Sequence, residues 1–418
     1  MGIMINFFCL LCLLGASAAA PETLRMVNVL YRHGDRSPVL TYPHDPYQED
    51  AWPQGWGWLS QRGMQQHYEL GQWLRSEYGS ILNDTYKNTE ITVEASNVNR
   101  CLMSAYCNLA GLYPPKGTQV WNQKLVWQPI PVHTRPEAED HKLAIQAPCV
   151  RYEELYAKEL HSDIIKQEEE ENAAFYKLVD NSTGIKRENI SEVWKVADSL
   201  FCENAHNYTL PNWTQEAWGN GTVYDRLIAL KDWSFGLLYN GSALSRLKGG
   251  PLVKEFIQNM QTAASDPDHK HYKMYMYSAH DTTVAAVMGA MSVGNHLSPP
   301  YATAVLVELH ENTTGNYCVQ MRVRNDTTRA PYVLRHPACD EDCCPLDKFV
   351  EATKDRVPVD WNAECHNPQS GASSGKEVPL SSTSIAFAAL CGAFLIILIA
   401  LSVAYCRQRR LVKTFETI

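Results

Sequence analysis

Val29–Pro38 reads VLYRHGDRSP. An apolar run ends there in two arginines, a histidine, a glycine and an aspartate within five consecutive positions, Arg32 to Arg36. Like charges that close repel and are hard to bury. Such a cluster is either a solvated turn or a seat for something anionic. The preceding residues, Leu24–Tyr31, are β-rich and mostly apolar, as in a buried strand, so the charged group sits at a strand exit.

The same order recurs twice. Ile91–Ala95 reads as a strand, turns through Ser96 and Asn97, and enters a helical run that ends near Gly111, with Pro114 and Pro115 as a stop. Arg100 falls in the first turn of that helix. Met274–Ser278 reads as a strand, followed by His280, Asp281 and a helix with Thr282 or Thr283 in its first turn. Ligands of open α/β sheets bind beyond the carboxyl ends of the strands, and helix N-termini there favour anions. Three neighbouring strands would bring Arg32, His33, Arg36, Arg100, His280 and Asp281 into one pocket.

Three planar guanidinium forks suit the oxygens of a phosphate monoester. No P-loop, kinase signature or HExxH motif is present, so the expected chemistry uses no metal or cofactor. His33 could attack phosphorus in line to form a phosphohistidine, and the arginines would hold the charge on the equatorial oxygens. Asp281, carrying a proton, would supply it to the leaving alcohol. Surrounding arginines should keep His33 unprotonated in mild acid, so both requirements predict an acidic optimum.

The rest of the chain bounds the setting. It has 418 residues and a net charge of −9, which gives no reason to expect nucleic-acid binding. Phe7–Leu14 followed by GASAAA reads as a signal peptide spanning residues 1–18, although a basic n-region is missing. Ile385–Tyr405 is uncharged and long enough to cross a bilayer, which takes about 20 residues as a helix. Arg407, Arg409, Arg410 and Lys413 follow it and mark a cytoplasmic tail over 406–418. Residues 367–384, rich in Ser, Gly and Pro, read as a stalk. The expectation is a type I membrane protein of the secretory pathway, at the cell surface or in lysosomes. Sequons at Asn83, Asn181, Asn189, Asn207, Asn212, Asn220, Asn240, Asn312 and Asn325 agree with that compartment. Nine cysteines lie between the two hydrophobic ends, an odd number, so at least one is free or paired between chains. The Cys339-x-x-x-Cys343 spacing suits a local clip or half of a zinc site, but no matching Cys/His pair is near.

Several strings resemble one family in order and spacing: YRHGDRSP, WPQGWGWLSQRGMQQHYELG, NRCLMSAYCNLAGLYPP, YSAHDTT and PPYATAVLVEL. They are similar to the histidine acid phosphatases, in the prostatic and lysosomal branch, from about Leu24 to Cys365. The resemblance implies His33 as nucleophile, Asp281 as proton donor, and Arg32, Arg36, Arg100 and His280 as phosphate-binding groups. It implies an α/β fold with a mostly parallel central sheet flanked by helices, formed by residues 19–130 and 247–366. A smaller helical domain, 131–246, would be inserted between the two parts. One C-terminal transmembrane helix completes the expected architecture. Gln167–Val179 inside the insertion reads as a solvated helix face. His67, Trp52, Trp56 and Trp58 read as core or pocket rim.

The resemblance further implies disulfides Cys149–Cys365 and Cys339–Cys343, and carries a homodimer with it. A third family bridge would join Cys202 to a position that here holds Ala304. Cys202 would then reach Cys318 or stay free. A bridge between Cys101 and Cys107 would stiffen the helix beside Arg100. The rival readings are a cytosolic mutase, a phytase-like polyphosphate phosphatase, and a catalytically silent receptor-like ectodomain.

Overall fold

In the computed structural model, residues 23–187 and 189–366 are described. The expected signal peptide (1–18), stalk (367–384), membrane helix (385–405) and tail (406–418) lie outside the described residues. Among the described residues no helix is long and apolar enough to cross a membrane.

The opening strand, β1 (Thr23–Arg32), is buried along both faces from Met26 onward. Its alternate residues enter different cores. Met26 and Leu30 pack with the layer formed by α9 (Gly250–Ala264) and α10 (Asp281–Ala290). Val27, Val29 and Tyr31 pack with α1 (Gln61–Glu77) and α2 (Asn99–Leu112) on the other side. Side chains two apart share a face of a strand, so one apolar run serves two helix layers.

β1 lies inside a seven-stranded sheet. β2 (Ile91–Ala95) pairs with β5 (Met274–Ala279), and β5 with β1, both in parallel. The other half departs from the expected mostly parallel sheet. β6 (Ala304–Glu311) runs antiparallel to β1, and β7 (Tyr317–Arg324) antiparallel to β6. β8 (Tyr332–Leu334) and β9 (Cys343–Pro345) both pair antiparallel with β7. The sheet is therefore mixed, and the cause is local. The Asn312 side chain accepts hydrogen bonds from the N–H groups of Thr314 and Asn316, closing a tight turn between β6 and β7. A connection that short permits only a hairpin, whereas parallel neighbours require a crossover of a dozen residues or more.

Between α2 and α9 the chain is largely helical: α3 (Val150–Leu160), α4 (Asp163–Glu171), α5 (Ala173–Thr183), α6 (Trp194–Ala205), α7 (Val223–Leu237) and α8 (Gly241–Lys248). A two-stranded pair, β3 (Ala217–Trp218) and β4 (Gly221–Thr222), lies within it. Phe175, Val196, Leu200, Leu227 and Leu230 form a separate apolar cluster that also takes in Tyr42, from the loop after β1.

The disulfides differ in part from the expected set. Cys149, before α3, is bonded to Cys365 in the last described helix, Trp361–His366. Cys339 and Cys343 are not bonded to each other. Cys318 pairs with Cys343, and Cys339 with Cys344. Cys343 and Cys344 are successive strand residues and point to opposite faces of β9. Cys318 opposes Pro345 in the register, so Cys343, two residues from Pro345, shares its face. Cys344 turns into the core beside Val319, where Cys339 also lies. All four thiols are consumed, which leaves none of them for zinc.

The Cys149–Cys365 link closes a loop of 216 residues. Replacing both cysteines by alanine is expected to lower the unfolding free energy by about 2–5 kcal/mol, measured by urea denaturation.

Candidate active site

The parallel strands end level with one another. Arg32 is opposite Ala279, and Ala95 is opposite Ser278. The next N–H groups continue the ladder: His33 donates to Ala279 O and Ser96 to Ser278 O, each at 2.9 Å. Beyond that point α2 begins at Asn99 and α10 at Asp281, so Arg100 and Asp281 occupy first turns of helices at the same sheet edge.

The turn after β1 is held from several directions. Gly34 N–H donates to Ser104 Oγ of α2 at 3.2 Å. A Cβ at Gly34 would lie 2.4 Å from Gly63 O, so α1 approaches this turn more closely than any larger residue permits. Asp35 is buried, and its carboxylate accepts from Ser60 Oγ and from His206 Nε2, the latter at 2.7 Å. Buried His67 contacts Arg32 O at 3.1 Å through Nε2, and burial pushes its pKa down to about 3. It braces the β1 backbone rather than facing the pocket chemistry.

His33 is 1% exposed. Its Nδ1 lies 2.8 Å from Gly34 O. A carbonyl oxygen only accepts, so Nδ1 carries the hydrogen and the lone pair of the neutral ring sits on Nε2. Burial, then Arg100, Arg32 and Arg36, hold its pKa well below the usual histidine value. The ring is flanked by His280 at 5.7 Å and Tyr301 at 6.0 Å between centroids. Arg100 Nη2 donates to His280 Nδ1 at 3.3 Å, which makes Nε2–H the donor to Ser96 Oγ at 2.9 Å. Burial and Arg100 lower the His280 pKa to about 3, so both imidazoles are neutral in weak acid.

The structure thus brings together all six residues singled out from the sequence, and it adds their partners. Arg32 donates to Pro299 O at 2.6 Å, pairs with Asp281 at 2.8 Å, and lies 4.2 Å over the Tyr301 ring. Arg36 makes a two-pronged pair with Asp198 of α6, at 3.0 and 3.1 Å. Among the described residues Arg100 has no carboxylate partner of that kind. The Nε–H groups of Arg32, Arg36 and Arg100 are all buried, with no acceptor among the described residues. Buried donors normally have partners. Three unanswered ones, on arginines that all act on His33, suit an oxyanion as acceptor.

The role expected of Asp281, a donor that carries a proton as it acts, starts from another state in the free site. Burial does raise its pKa, but Arg32 and Arg36 outweigh that and bring it to about 2, so the free site holds a carboxylate. Among the described residues Cys101, Cys107 and Cys202 form no disulfide. Residues six apart on a helix face different sides, which rules out the Cys101–Cys107 bridge. Cys101 Sγ instead lies 3.6 Å from His280 Nε2, and Cys202 Sγ lies 3.5 Å from both Arg36 Nη1 and the Tyr301 hydroxyl.

Asp198, Tyr301, Asp35 and Ser96 were not identified as site residues from the sequence. Tyr301 lies in a string quoted for its resemblance, and Asp35 and Ser96 sit inside the motifs themselves. Asp198 had no local signal, being 162 residues from its partner Arg36.

An α/β fold with a buried, arginine-lined oxyanion pocket at the strand ends is a phosphoryl-transfer type of site by its chemistry. Residues 23–324 match the histidine phosphatase superfamily (branch 2), and the chain belongs to that family. Human lysosomal acid phosphatase is 42% identical over 384 residues, covering 91% of this chain and 87% of its own. Human prostatic acid phosphatase is 42% identical over 354 residues, covering 84% and 90%. Among solved structures, a Hafnia alvei phytase in complex with tartrate superposes with a TM-score of 0.62 at 16% identity, over 81% of this chain and 98% of that one. At that identity the likeness is one of fold.

Because Gly34 meets the Gly63 backbone, Gly34→Ala is expected to cost about 1–3 kcal/mol of stability in urea denaturation.

Proposed function

We propose that this chain is an acid phosphatase that hydrolyses phosphate monoesters through a phosphohistidine on His33, with Asp281 as proton donor. The observation that carries the reading is the orientation of His33. The Nδ1–H bond to Gly34 O leaves the Nε2 lone pair for the substrate, among three arginines with unanswered Nε–H groups. Membership of the family and the two acid phosphatase relatives support the same activity.

In the first step Nε2 attacks phosphorus, an N–P bond forms, and the P–O bond to the leaving alcohol breaks. Asp281 gives that oxygen its proton. In the second step water attacks phosphorus, Asp281 takes a proton from it, and the N–P bond breaks to release phosphate. Arg32, Arg36, Arg100 and His280 bind the transferring group and stabilise its equatorial oxygens. The cations that neutralise the ester are guanidinium groups, so the reading calls for no metal.

Asp281 begins as a carboxylate held by Arg32. A bound ester brings negative charge beside it and draws Arg32 toward phosphate. Both effects raise its pKa and favour proton uptake. His33 has a lowered pKa and is the free base through mild acid. Activity therefore persists as pH falls below neutral and declines as pH rises and Asp281 loses its proton.

The compartment belongs to the same proposal: a lysosomal or cell-surface protein of the secretory pathway, anchored as a type I membrane protein by residues 385–405. Three disulfides support an oxidising compartment. None of the nine sequon asparagines is buried. We also read 131–246 as the inserted part, on the strength of its separate apolar cluster. Exposed Trp121, Leu125 and Val126 offer apolar surface for a homodimer.

Rapid quenching with labelled substrate, without acid, tests the chemistry. The wild-type chain should trap phosphate on a histidine, and His33→Ala should trap none. Trapping that survives in His33→Ala would reject the assignment. In pH profiles, Asp281→Asn should slow alkyl esters far more than p-nitrophenyl phosphate, whose leaving group needs no proton. Equal slowing of both would remove Asp281 as the donor.

A further inference from the structure

We propose that Asp198 sets the charge state of the ester the site accepts, selecting the singly charged phosphate monoester over the doubly charged one. The inference rests on the phosphatase reading above and adds a specificity-determining residue to it.

Arginine offers five N–H donors in a fixed plane. Asp198 takes one from each terminal nitrogen of Arg36, at 3.0 and 3.1 Å, and Ser37 O takes another at 3.1 Å. The buried Nε–H has no protein acceptor. Of the five donors the Nε–H and the second Nη2–H remain, and this side fork is left for an ester oxygen. Arg32 is divided in the same way. Asp281 and Pro299 O take its terminal nitrogens, and its Nε–H is unanswered.

The charges then add simply. Arg32, Arg36 and Arg100 contribute three positive charges, Asp198 and Asp281 two negative ones, and the two imidazoles none. The pocket carries one net positive charge. A phosphate monoester loses its second proton near about pH 6. With ester bound the site is neutral when the ester and Asp281 together hold one proton, on whichever of the two it sits; the singly charged ester brings that proton, whereas the doubly charged form must draw it from solvent or leave an unpaired negative charge in a buried site. Without Asp198 the balance would favour the doubly charged ester.

The surroundings do not alter this sum. Cys202 and Tyr301, which touch the pair, have pKa values raised by burial and stay neutral. Lys195, one turn earlier on α6, pairs with Glu192. Lys231 and Asp232 of α7 pair with each other at 3.2 Å, and the Asp35 carboxylate, unchanged by a substitution at Asp198, is held by hydrogen bonds from Ser60 Oγ and His206 Nε2. Asp198 comes from the helical region between β2 and β5, so the sheet carries the reacting groups while a distant helix sets which ionic form they receive.

The test is the pH dependence of KM for p-nitrophenyl phosphate in wild type and Asp198→Asn. The wild-type KM should climb about tenfold or more as the ester takes its second charge, and Asp198→Asn should abolish or reverse that climb. If the variant loses kcat/KM by the same factor at every pH, Asp198 is only structural and the inference fails. A second arm needs no variant. Inorganic phosphate should inhibit the wild-type chain about tenfold less well after its second ionisation, and sulfate, doubly charged throughout, should inhibit poorly. Tight inhibition by sulfate overturns the inference. Phosphohistidine trapping separates the two levels. Trapping with parallel pH profiles rejects the role of Asp198 alone, while no trapping in wild type rejects the phosphatase reading itself.

Discussion

Mutual repulsion among three guanidinium groups, those of buried Arg32 and Arg36 and of half-buried Arg100, is the constraint around which this site is built. Arg32, Arg36 and Arg100 crowd one imidazole, His33, and each lowers its affinity for a proton. Such a cluster is tolerable only because carboxylates meet part of its charge: Asp281 at Arg32 and Asp198 at Arg36. Burying an unpaired charge is expensive, whereas a paired and hydrogen-bonded one can persist. Arg100 is left with an imidazole for company, and burial and Arg36 lower its pKa. The residual positive charge is what attracts an anion.

Position follows from the sheet. Because β2, β5 and β1 are parallel and end level, residues from three distant segments arrive at one edge without any long side chain having to reach. The antiparallel half makes a different contribution. The loop entering β6 carries Pro299, which receives Arg32, and Tyr301, whose ring lies over it. The helical region adds Asp198 and Cys202. Sheet edge, hairpin side and helical region therefore share one electrostatic unit.

The free site and the working site differ in their protons. Free Asp281 is ionised and serves Arg32, whereas the leaving group requires a protonated donor. One residue can fill both roles because its state depends on whether an anion is present. That dependence ties substrate binding to proton uptake.

What the sequence determined by itself was local. Strand, charged turn and helix start are contiguous in the chain, so Arg32, His33, Arg36, Arg100, His280 and Asp281 could be read from apolar runs, breakers and first turns. The level strand ends also follow from those motifs once the strands pair in parallel. Tertiary structure decided the rest. The antiparallel half depends on β6 pairing with both β1 and β7, and the recurring strand–helix pattern, which covers only β1, β2 and β5, says nothing of those partners. Cys343 and Cys344 could be sorted only when the register of β9 against β7 fixed which face each one takes. Asp198 meets Arg36 across 162 residues, and no periodicity or spacing reports a pairing that only packing creates. Short-range order comes from backbone preference and apolar pattern, while charge compensation in a buried site depends on which distant segments the folded chain sets side by side.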